Sequence, residues 1–172
     1  TAIQLAKAIG ATVITTPGSA ENCDASRDWG ADLESNYRQQ AFVREVKKFT
    51  DHQGVQVILD MVCGPYINRN YDCAAMDARI VQIGFLGGAK VEADFAPIMM
   101  KRLNHTGSTL RMRPNGFKAQ IAGNLEKHVW PLIESGQIAP VMDMIYPMKE
   151  AWRAHERMEE GAHIGKIVLD AN

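Results

Sequence analysis

Four loops rich in glycine and polar side chains each follow a short apolar stretch, and they are the places where this sequence could do chemistry. They span residues 16–19, 36–38, 61–66 and 85–88. The first contains Gly18-Ser19, directly after the β-branched run TVITT. In a dinucleotide-binding domain, the loop after the second strand meets the adenosine ribose, and an acidic residue there binds a ribose that carries no 2′-phosphate. A hydroxyl beside backbone amides at a helix start suits a 2′-phosphate instead. The loop therefore favours NADP(H) over NAD(H), and helix capping by Ser19 is a compatible structural role.

The other loops carry weaker signals. Tyr37 can stack on an adenine and Arg38 can supply a cation, although exposed pairs of this kind also occur as ordinary surface. The glycines in Cys63-Gly64 and in residues 84–88 let backbone approach a bound nucleotide, or else serve tight turns at strand ends. Because these loops follow consecutive strands, we expect them at one edge of a sheet.

Side chains with catalytic or metal-binding spacing do not stand out. The five histidines lack a paired spacing, Asp60 at a strand end is as readily structural as catalytic, and no nucleophile, base and acid fall into an arrangement. We assign no catalytic residue and no metal ligand. Hydride transfer would require neither, because the cofactor carries that chemistry.

The cysteine usage and composition limit the classes of function. Cys23, Cys63 and Cys73 include no Cys-x-x-Cys pair, so we expect reduced thiols in a cytoplasmic protein. The 172 residues have a net charge of -1 with scattered basic residues, which argues against a nucleic-acid partner. No apolar run is long enough for a membrane span. A small-molecule partner fits this composition best.

Helices and strands alternate along the chain and would position these loops. Helical periodicity, with Gly10 and Gly30 as end signals, predicts helices at residues 1–9, 19–30, 40–50, 65–76, 95–103, 115–134 and 149–160. Strands are predicted at residues 12–16, 32–36, 55–60, 79–84, 105–111, 141–146 and 166–170. The long helix is expected to bury a stripe of Phe117, Ile121, Leu125, Val129 and Leu132. Short apolar strands between helices indicate an α/β fold with a doubly wound, largely parallel sheet.

Seven strings in order resemble the C-terminal cofactor-binding region of medium-chain dehydrogenase/reductases, the zinc-type alcohol dehydrogenase-like superfamily. They are closest to its zinc-independent NADPH quinone oxidoreductase branch. The resemblance extends over essentially the whole chain and rests on these strings: TAIQLAKAIGATVITT, GSAEN, GADLESNYR, VILDMVCGPY, RIVQIGFLGG, MMKRLNHTGSTLR and AHERMEEGAHIGKIVL.

The resemblance implies a particular domain organisation. Residues 1–135 would be a partial Rossmann-like cofactor-binding domain, and residues 136–172 the C-terminal segment of a catalytic domain. In relatives an N-terminal catalytic domain, the first strand and the glycine-rich loop precede the position of Thr1, and we expect this chain to lack them. The last strand, 166–170, is then expected to have no partner here.

The resemblance also implies a set of cofactor-binding positions and an assembly. Contacts to NADP(H) are expected at or near Ser19, Asn22, Tyr37, Val62, Cys63, Phe85, Arg111 and Lys166. Asn22 stands where the family usually has lysine, which removes a positive charge for the 2′-phosphate, and Cys63 stands where glycine is usual. The strand at residues 105–111 would pair with its copy in a homodimer.

Three functions follow as hypotheses. The first is an NADPH-dependent quinone oxidoreductase that passes a hydride to a quinone or similar electrophilic acceptor, with the isolated chain inactive. The second is a zinc-dependent alcohol dehydrogenase whose metal ligands lie outside this chain. The third is a non-catalytic nucleotide-binding or dimerisation module. The identity of the acceptor is not specified by the residues present.

Overall fold

The computed structural model describes residues 1–171, in which helices and strands alternate. The helices are α1 (Ala2–Ala8), α2 (Ala20–Asp28), α3 (Phe42–Phe49), α4 (Ile67–Cys73), α5 (Ala96–Lys101), α6 (Asn115–His128), α7 (Trp130–Glu134) and α8 (Ala151–Glu159). The strands are β1 (Ile14–Thr15), β2 (Leu33–Glu34), β3 (Val55–Asp60), β4 (Ala74–Gln82), β5 (Asn104–Gly107), β6 (Met142–Pro147) and β7 (Lys166–Asp170). Single 3-10 turns, Gly64–Tyr66 and Met148–Glu150, precede α4 and α8.

All of the strand pairs are parallel, which confirms the predicted α/β, Rossmann-like class. The strands form three sheets with the orders β1-β2, β3-β4-β5 and β6-β7. The backbone divides into two compact units. The central unit is Ser35–Ala122, and the terminal unit combines Thr1–Glu34 with the described residues from Gly123 onwards. The domain boundary at residues 135/136 stays a prediction.

Glycine ends the first two helices as the sequence predicts. After α1, the N–H of Gly10 donates to the Lys7 carbonyl at 2.9 Å, and the N–H of Ala11 donates to the Ala6 carbonyl at 2.9 Å. Gly10 has φ 83°, a conformation that costs glycine nothing, and this pair of bonds is the Schellman motif. Gly30, with φ 98°, ends α2 in the same way.

The core of the central unit lies where α4 and α5 cover one face of the β3-β4-β5 sheet. Ile80 on β4 is fully buried, and Ile67 and Tyr71 on α4 and Leu103 before β5 pack around it. On the opposite face, Val57 of β3 is 53% exposed. The asymmetry follows from the alternation of side chains along a strand.

Several element boundaries differ from the sequence predictions in the central unit. The helix expected at 65–76 is a 3-10 turn followed by α4, which ends at Cys73. Strand β4 begins at Ala74, and its pairing with β3 shifts register while Asp77 adopts φ 59°. Strand β5 ends at Gly107, so Arg111 lies in a turn and not in the predicted strand.

The helix predicted at 115–134 is two helices, and its apolar stripe is not buried. α6 and α7 are separated at Val129, because Pro131 has no N–H to continue the hydrogen-bond ladder. Neither helix has a buried residue, and Phe117 and Leu125 are each 41% exposed. Ile121, Val129 and Leu132 are half-buried, so the stripe is only partly covered and the predicted burial is wrong for Phe117 and Leu125.

The last strand has a partner, contrary to expectation. Strand β7 pairs with β6 in parallel from Met142↔Lys166 to Pro147↔Asp170, with α8 as the crossover between them. A strand, a helix and a second parallel strand form a βαβ unit, which explains how a segment of this length pairs internally. None of the described helices is both long and apolar enough to span a membrane.

Candidate functional site

The loops that follow β3 and β4 are joined by backbone hydrogen bonds. The N–H groups of Ile83, Leu86 and Gly87 donate to the carbonyls of Asp60, Met61 and Val62 at 2.8, 3.1 and 2.7 Å. These bonds continue the parallel pairing beyond the ends of the strands. They place Val62, Cys63 and Phe85 together at the carboxyl edge of the central sheet, where ligands bind in doubly wound folds.

Glycines in these loops allow the two backbones to touch. A Cβ on Gly64 would collide with the carbonyl oxygen of Gly87. A Cβ on Gly84 would lie 3.0 Å from the Met61 carbonyl oxygen, and one on Gly87 would lie 3.1 Å from that of Val62. The structure therefore supports the packing role for these three glycines over close approach to a nucleotide.

Asp60 holds the turn after β3. Its Oδ1 accepts the N–H groups of Val62 and Cys63 at 2.6 and 3.0 Å, and its Oδ2 accepts Asn70 Nδ2 at 2.8 Å. Asp60 is 3% exposed. A buried carboxylate that accepts three hydrogen bonds positions the Val62-Cys63 loop. These contacts favour a structural role for Asp60 over a catalytic one.

Cys63 occupies a backbone conformation that glycine would adopt more readily. Its φ is 59° and its ψ is -140°, and its side chain is buried. Such a conformation costs a non-glycine residue about 1–3 kcal/mol. The Asp60 carboxylate, which accepts the Cys63 N–H, helps to hold it there.

The cysteines are free and buried. Burial raises the pKa of the Cys73 thiol to about 11 and also raises that of Cys23, so both are poor thiolate nucleophiles. Among residues 1–171, no three His, Cys, Asp or Glu side chains group in a way that could hold a metal ion.

Ser19 is the N-cap of α2 in the terminal unit, as the sequence predicts. Its Oγ accepts the N–H of Asn22 at 3.1 Å. Glu21 lies in the first turn of the same helix and was not foreseen as part of this site. Its backbone N–H, and next the Ser19 hydroxyl, hold the pKa of the Glu21 carboxyl below its ordinary value. This negative charge shares the helix start with the site expected for a phosphate. The sequence contained a signal for this opposing charge, because Glu21 follows the predicted cap Ser19 by two residues and so falls in the first turn of the helix.

Tyr37 and Arg38 lie in the turn that precedes α3. The Tyr37 ring meets the Tyr66 ring edge-on at 6.1 Å between centroids, and the Arg38 guanidinium lies 5.8 Å from the centre of the Tyr37 ring. The Asn36 side-chain oxygen accepts the Arg38 N–H at 3.1 Å. Because Tyr66 follows Cys63 by one turn, these contacts attach Tyr37 to the same edge as the loop after β3.

The remaining expected positions lie elsewhere. Arg111 is in the turn before α6, where its carbonyl accepts Lys118 Nζ at 3.3 Å. Lys166 begins β7, and its N–H donates to the Val141 carbonyl at 2.7 Å. The central unit thus brings together Tyr37, Val62, Cys63 and Phe85, whereas Ser19, Asn22 and Lys166 belong to the terminal unit. The cofactor-binding roles of all eight residues stay predictions.

Parallel βαβ units with polar loops at the carboxyl ends of their strands define a Rossmann-like domain of the dehydrogenase type. The family model described as "Zinc-binding dehydrogenase" matches residues 1–125. The chain belongs to this family, within the medium-chain dehydrogenase/reductase superfamily of oxidoreductases.

Individual relatives are similar over nearly the whole chain. Quinone oxidoreductase 1 of Escherichia coli K12 is 31% identical over 175 residues, covering 98% of this chain and 52% of its own length. Highly reducing polyketide synthase 40 of Fusarium mangiferae is 31% identical over 178 residues, covering 99% of this chain and 7% of its own length. The crystal structure of E. coli quinone oxidoreductase complexed with NADPH superimposes with a TM-score of 0.80 at 30% identity, over 98% of this chain and 52% of that one.

The chain therefore spans about half the length of the quinone oxidoreductases it matches and a small part of the polyketide synthase.

Proposed function

We propose that this chain is the cofactor-binding part of an NADPH-dependent quinone oxidoreductase. The whole enzyme would transfer a hydride from NADPH, with a proton from solvent, to a quinone or similar electrophilic acceptor. Two observations support this proposal: the likeness to a quinone oxidoreductase solved with NADPH, and the residues after β1.

The segment after β1 is the observation that carries the choice of NADPH. It reads Thr16-Pro17-Gly18-Ser19, with no carboxylate to bind an unphosphorylated ribose, and it leads into a nine-residue helix capped by Ser19. The positive end of the α2 dipole suits a 2′-phosphate. The Glu21 carboxylate in the first turn opposes it, and Asn22 brings no charge to compensate. The residues present therefore fit a 2′-phosphate, but with modest affinity.

In the central unit, the residues at the carboxyl edge would position the rest of the cofactor. Tyr37 would lie against the adenine, and the loop of Val62 and Cys63, fixed by Asp60, would flank the ribose and nicotinamide beside Phe85. Bound NADPH supplies the hydride. The role of these residues is orientation in a cleft, which accounts for the lack of a nucleophile or a general base among them.

We propose that the chain alone binds NADPH weakly and is inactive. In the doubly wound order 3-2-1-4-5-6, strand 1 pairs with strands 2 and 4 and leads into the loop that binds the pyrophosphate. Among the described residues, β1 pairs only with β2, and β3 pairs only with β4. The unpaired edges of β1 and β3 are the two that this order assigns to strand 1.

A chimaera tests the proposed function. This chain replaces the matching 175 residues of E. coli quinone oxidoreductase 1, and oxidation of NADPH and of NADH is followed with 1,4-benzoquinone. We expect quinone-dependent oxidation with a preference for NADPH, and a Ser19→Asp variant with a reduced preference. A folded chimaera that uses both cofactors equally, or reduces no quinone, would contradict the proposal.

A homodimer through β5 is a separate proposal. Strand β5 is the edge of the central sheet and all four of its residues are exposed, so its free backbone groups can pair with a second copy. The Ser108 N–H donates to the Gln82 carbonyl, so in this parallel ladder Thr106 faces β4 and Gly107 faces outward. A Gly107→Pro variant would remove one outward donor from that edge. Light scattering should show a dimer for the wild type and a monomer for the variant; a wild-type monomer at high concentration would refute the interface.

The second candidate function, a zinc-dependent alcohol dehydrogenase, is favoured by the description of the matching family and by solved alcohol dehydrogenases of similar fold. Its metal ligands would have to lie outside residues 1–171. Elemental analysis of a longer protein that contains this chain separates the two: stoichiometric zinc supports the dehydrogenase and its absence supports the quinone reductase.

A further inference from the structure

A pocket of about 500 Å³ lies on the helix-covered face of the central sheet. Its walls come from β4 and β5, from α4 and α5, and from the segment between β4 and α5. Apolar side chains such as Ile67, Ile98 and Leu103 form most of it, with the rings of Phe85 and Phe95 at its open side. Its size falls in the range of pockets that hold small organic ligands.

Gln82 lines this pocket and carries a buried, unsatisfied hydrogen-bond acceptor. Its Nε2 donates to the carbonyl oxygens of Asp60 at 3.1 Å and Gly84 at 2.6 Å. Both partners are acceptors, so the amide cannot be flipped without losing two bonds. The other end of the amide, Oε1, is buried and has no partner, although the side chain lines the pocket and is only 9% exposed.

An orphaned buried acceptor is unusual in a folded protein. More than nine in ten buried polar groups have a partner, and one that lacks it destabilises the fold. A ligand that brings a donor to Gln82 Oε1 recovers this free energy on binding. A ligand with a hydroxyl or an N–H beside an apolar body would complement this lining.

The rest of the lining favours a neutral aromatic molecule. Tyr71 is 2% exposed, and its hydroxyl is hydrogen-bonded to His105 Nδ1 at 2.8 Å, which fixes the Tyr71 ring as a wall. The pocket lining, all of it within residues 63–105, includes no Lys, Arg, Asp or Glu. A charged ligand would lose its hydration without gaining an ion pair. Flat apolar surfaces and aromatic rings instead suit a planar ring system.

We propose that this pocket binds a neutral phenol, with its ring between the apolar walls and its hydroxyl donating a hydrogen bond to Gln82 Oε1. The inference does not rest on the proposed function, although Cys63 and Phe85 line this pocket and are also positions where contacts to the cofactor are proposed. A hydroquinone, the product of quinone reduction, belongs to the same chemical class. The carboxamide of a nicotinamide also carries an N–H donor, so the experiment must distinguish it from a phenol.

Two matched probes test the donor requirement on the 172-residue chain. 2-Naphthol and 2-methoxynaphthalene share the same rings, but only the first can donate. Titration followed by NMR should show 2-naphthol binding at least tenfold more tightly, with shifts of the Gln82 side-chain amide. Nicotinamide alone should bind more weakly than 2-naphthol. Equal affinity of the two naphthalenes, or tighter binding of nicotinamide, would overturn the proposal.

Variants separate the acceptor from the shape of the pocket. Gln82→Met should reduce 2-naphthol affinity to that of 2-methoxynaphthalene, whereas Gln53→Met, an exposed control, should change neither. Ile98→Trp should abolish binding of both probes by filling the space while leaving the Gln82 amide bonds in place. Each variant is compared by melting curve. A folded Gln82→Met that still prefers 2-naphthol tenfold would refute the role of Oε1.

Discussion

Lys101 provides a quantitative test of how the central unit is held together. Its Nζ donates to the carbonyl oxygens of Tyr71, Asp72 and Ala74 at 2.7, 3.2 and 2.9 Å, at the C-terminus of α4. The last carbonyls of a helix have no partner within the helix, and a cation there also interacts with the helix dipole. Lys101 therefore caps α4 from α5.

The expected loss can be estimated for Lys101→Met, which keeps the apolar stem and removes the ammonium. Hydrogen bonds to charged groups contribute about 1.5–3 kcal/mol each when well buried. Lys101 is half-buried, one of its bonds is exposed, and burial, followed by Lys47, lowers its pKa, so part of the gain is offset. We expect the free energy of unfolding to fall by about 2–3 kcal/mol, which lowers Tm by roughly 4–12 °C for a chain of this size.

The assay is urea denaturation followed by circular dichroism, with Lys118→Met as the matched control. Lys118 donates to one carbonyl, that of Arg111, at 3.3 Å in an exposed setting, so its loss should change stability by less than about 0.5 kcal/mol. Equal effects of the two variants, or a Lys101→Met protein as stable as the wild type, would refute the capping role.

Three further predictions concern the turn after β3, the start of α2 and the loss of stability at acid pH. Cys63→Gly should raise the free energy of unfolding, measured in urea, by about 1 kcal/mol, because glycine adopts a φ of 59° without strain but loses more backbone entropy on folding. A loss of stability would show that the packing of the thiol contributes more than the strain. Asn22→Lys should raise the affinity for 2′,5′-ADP by about two- to fivefold in calorimetry, the magnitude of an exposed ion pair, and an unchanged affinity would place the phosphate elsewhere. The pKa of Asp143 is lowered by its bonds from Arg157 and then from the Ile164 N–H, so its stabilising contribution is present above the ordinary carboxyl pKa of about 4 and is lost as pH falls through the lowered value. In Asp143→Asn, Tm from melting curves should fall less steeply with decreasing pH than in the wild type. An unchanged pH dependence would contradict the role given to Asp143.

Local signals were readable from the sequence because neighbouring residues produce them. Gly10 and Gly30 end their helices, and Ser19 caps α2, through bonds that span only a few residues. The long apolar strand β3 has the bounds expected for it, 55–60. Pro131 was a visible signal for the break between α6 and α7, and the apolar periodicity around it led to one helix being predicted instead.

Features that depend on distant residues were not readable. The contact between Gly64 and Gly87 joins two loops, and the same glycine pattern fits close approach to a nucleotide equally well until that contact is seen. The pairing of β7 with β6 required knowing which strands lie side by side. The orphaned Gln82 Oε1 reflects the positions of Asp60 and Gly84, which no spacing in the sequence reveals.

The central claim, that this chain supplies the adenosine 2′-phosphate side of an NADPH site, is tested most directly by an NMR titration of the chain. Two ligands, 2′,5′-ADP and 5′-AMP, differ in the 2′-phosphate alone. We predict that 2′,5′-ADP shifts the backbone amides of Ser19, Ala20 and Glu21 at the start of α2, while 5′-AMP leaves them unchanged. Equal shifts with both ligands, or shifts that leave this helix start untouched, would contradict the account.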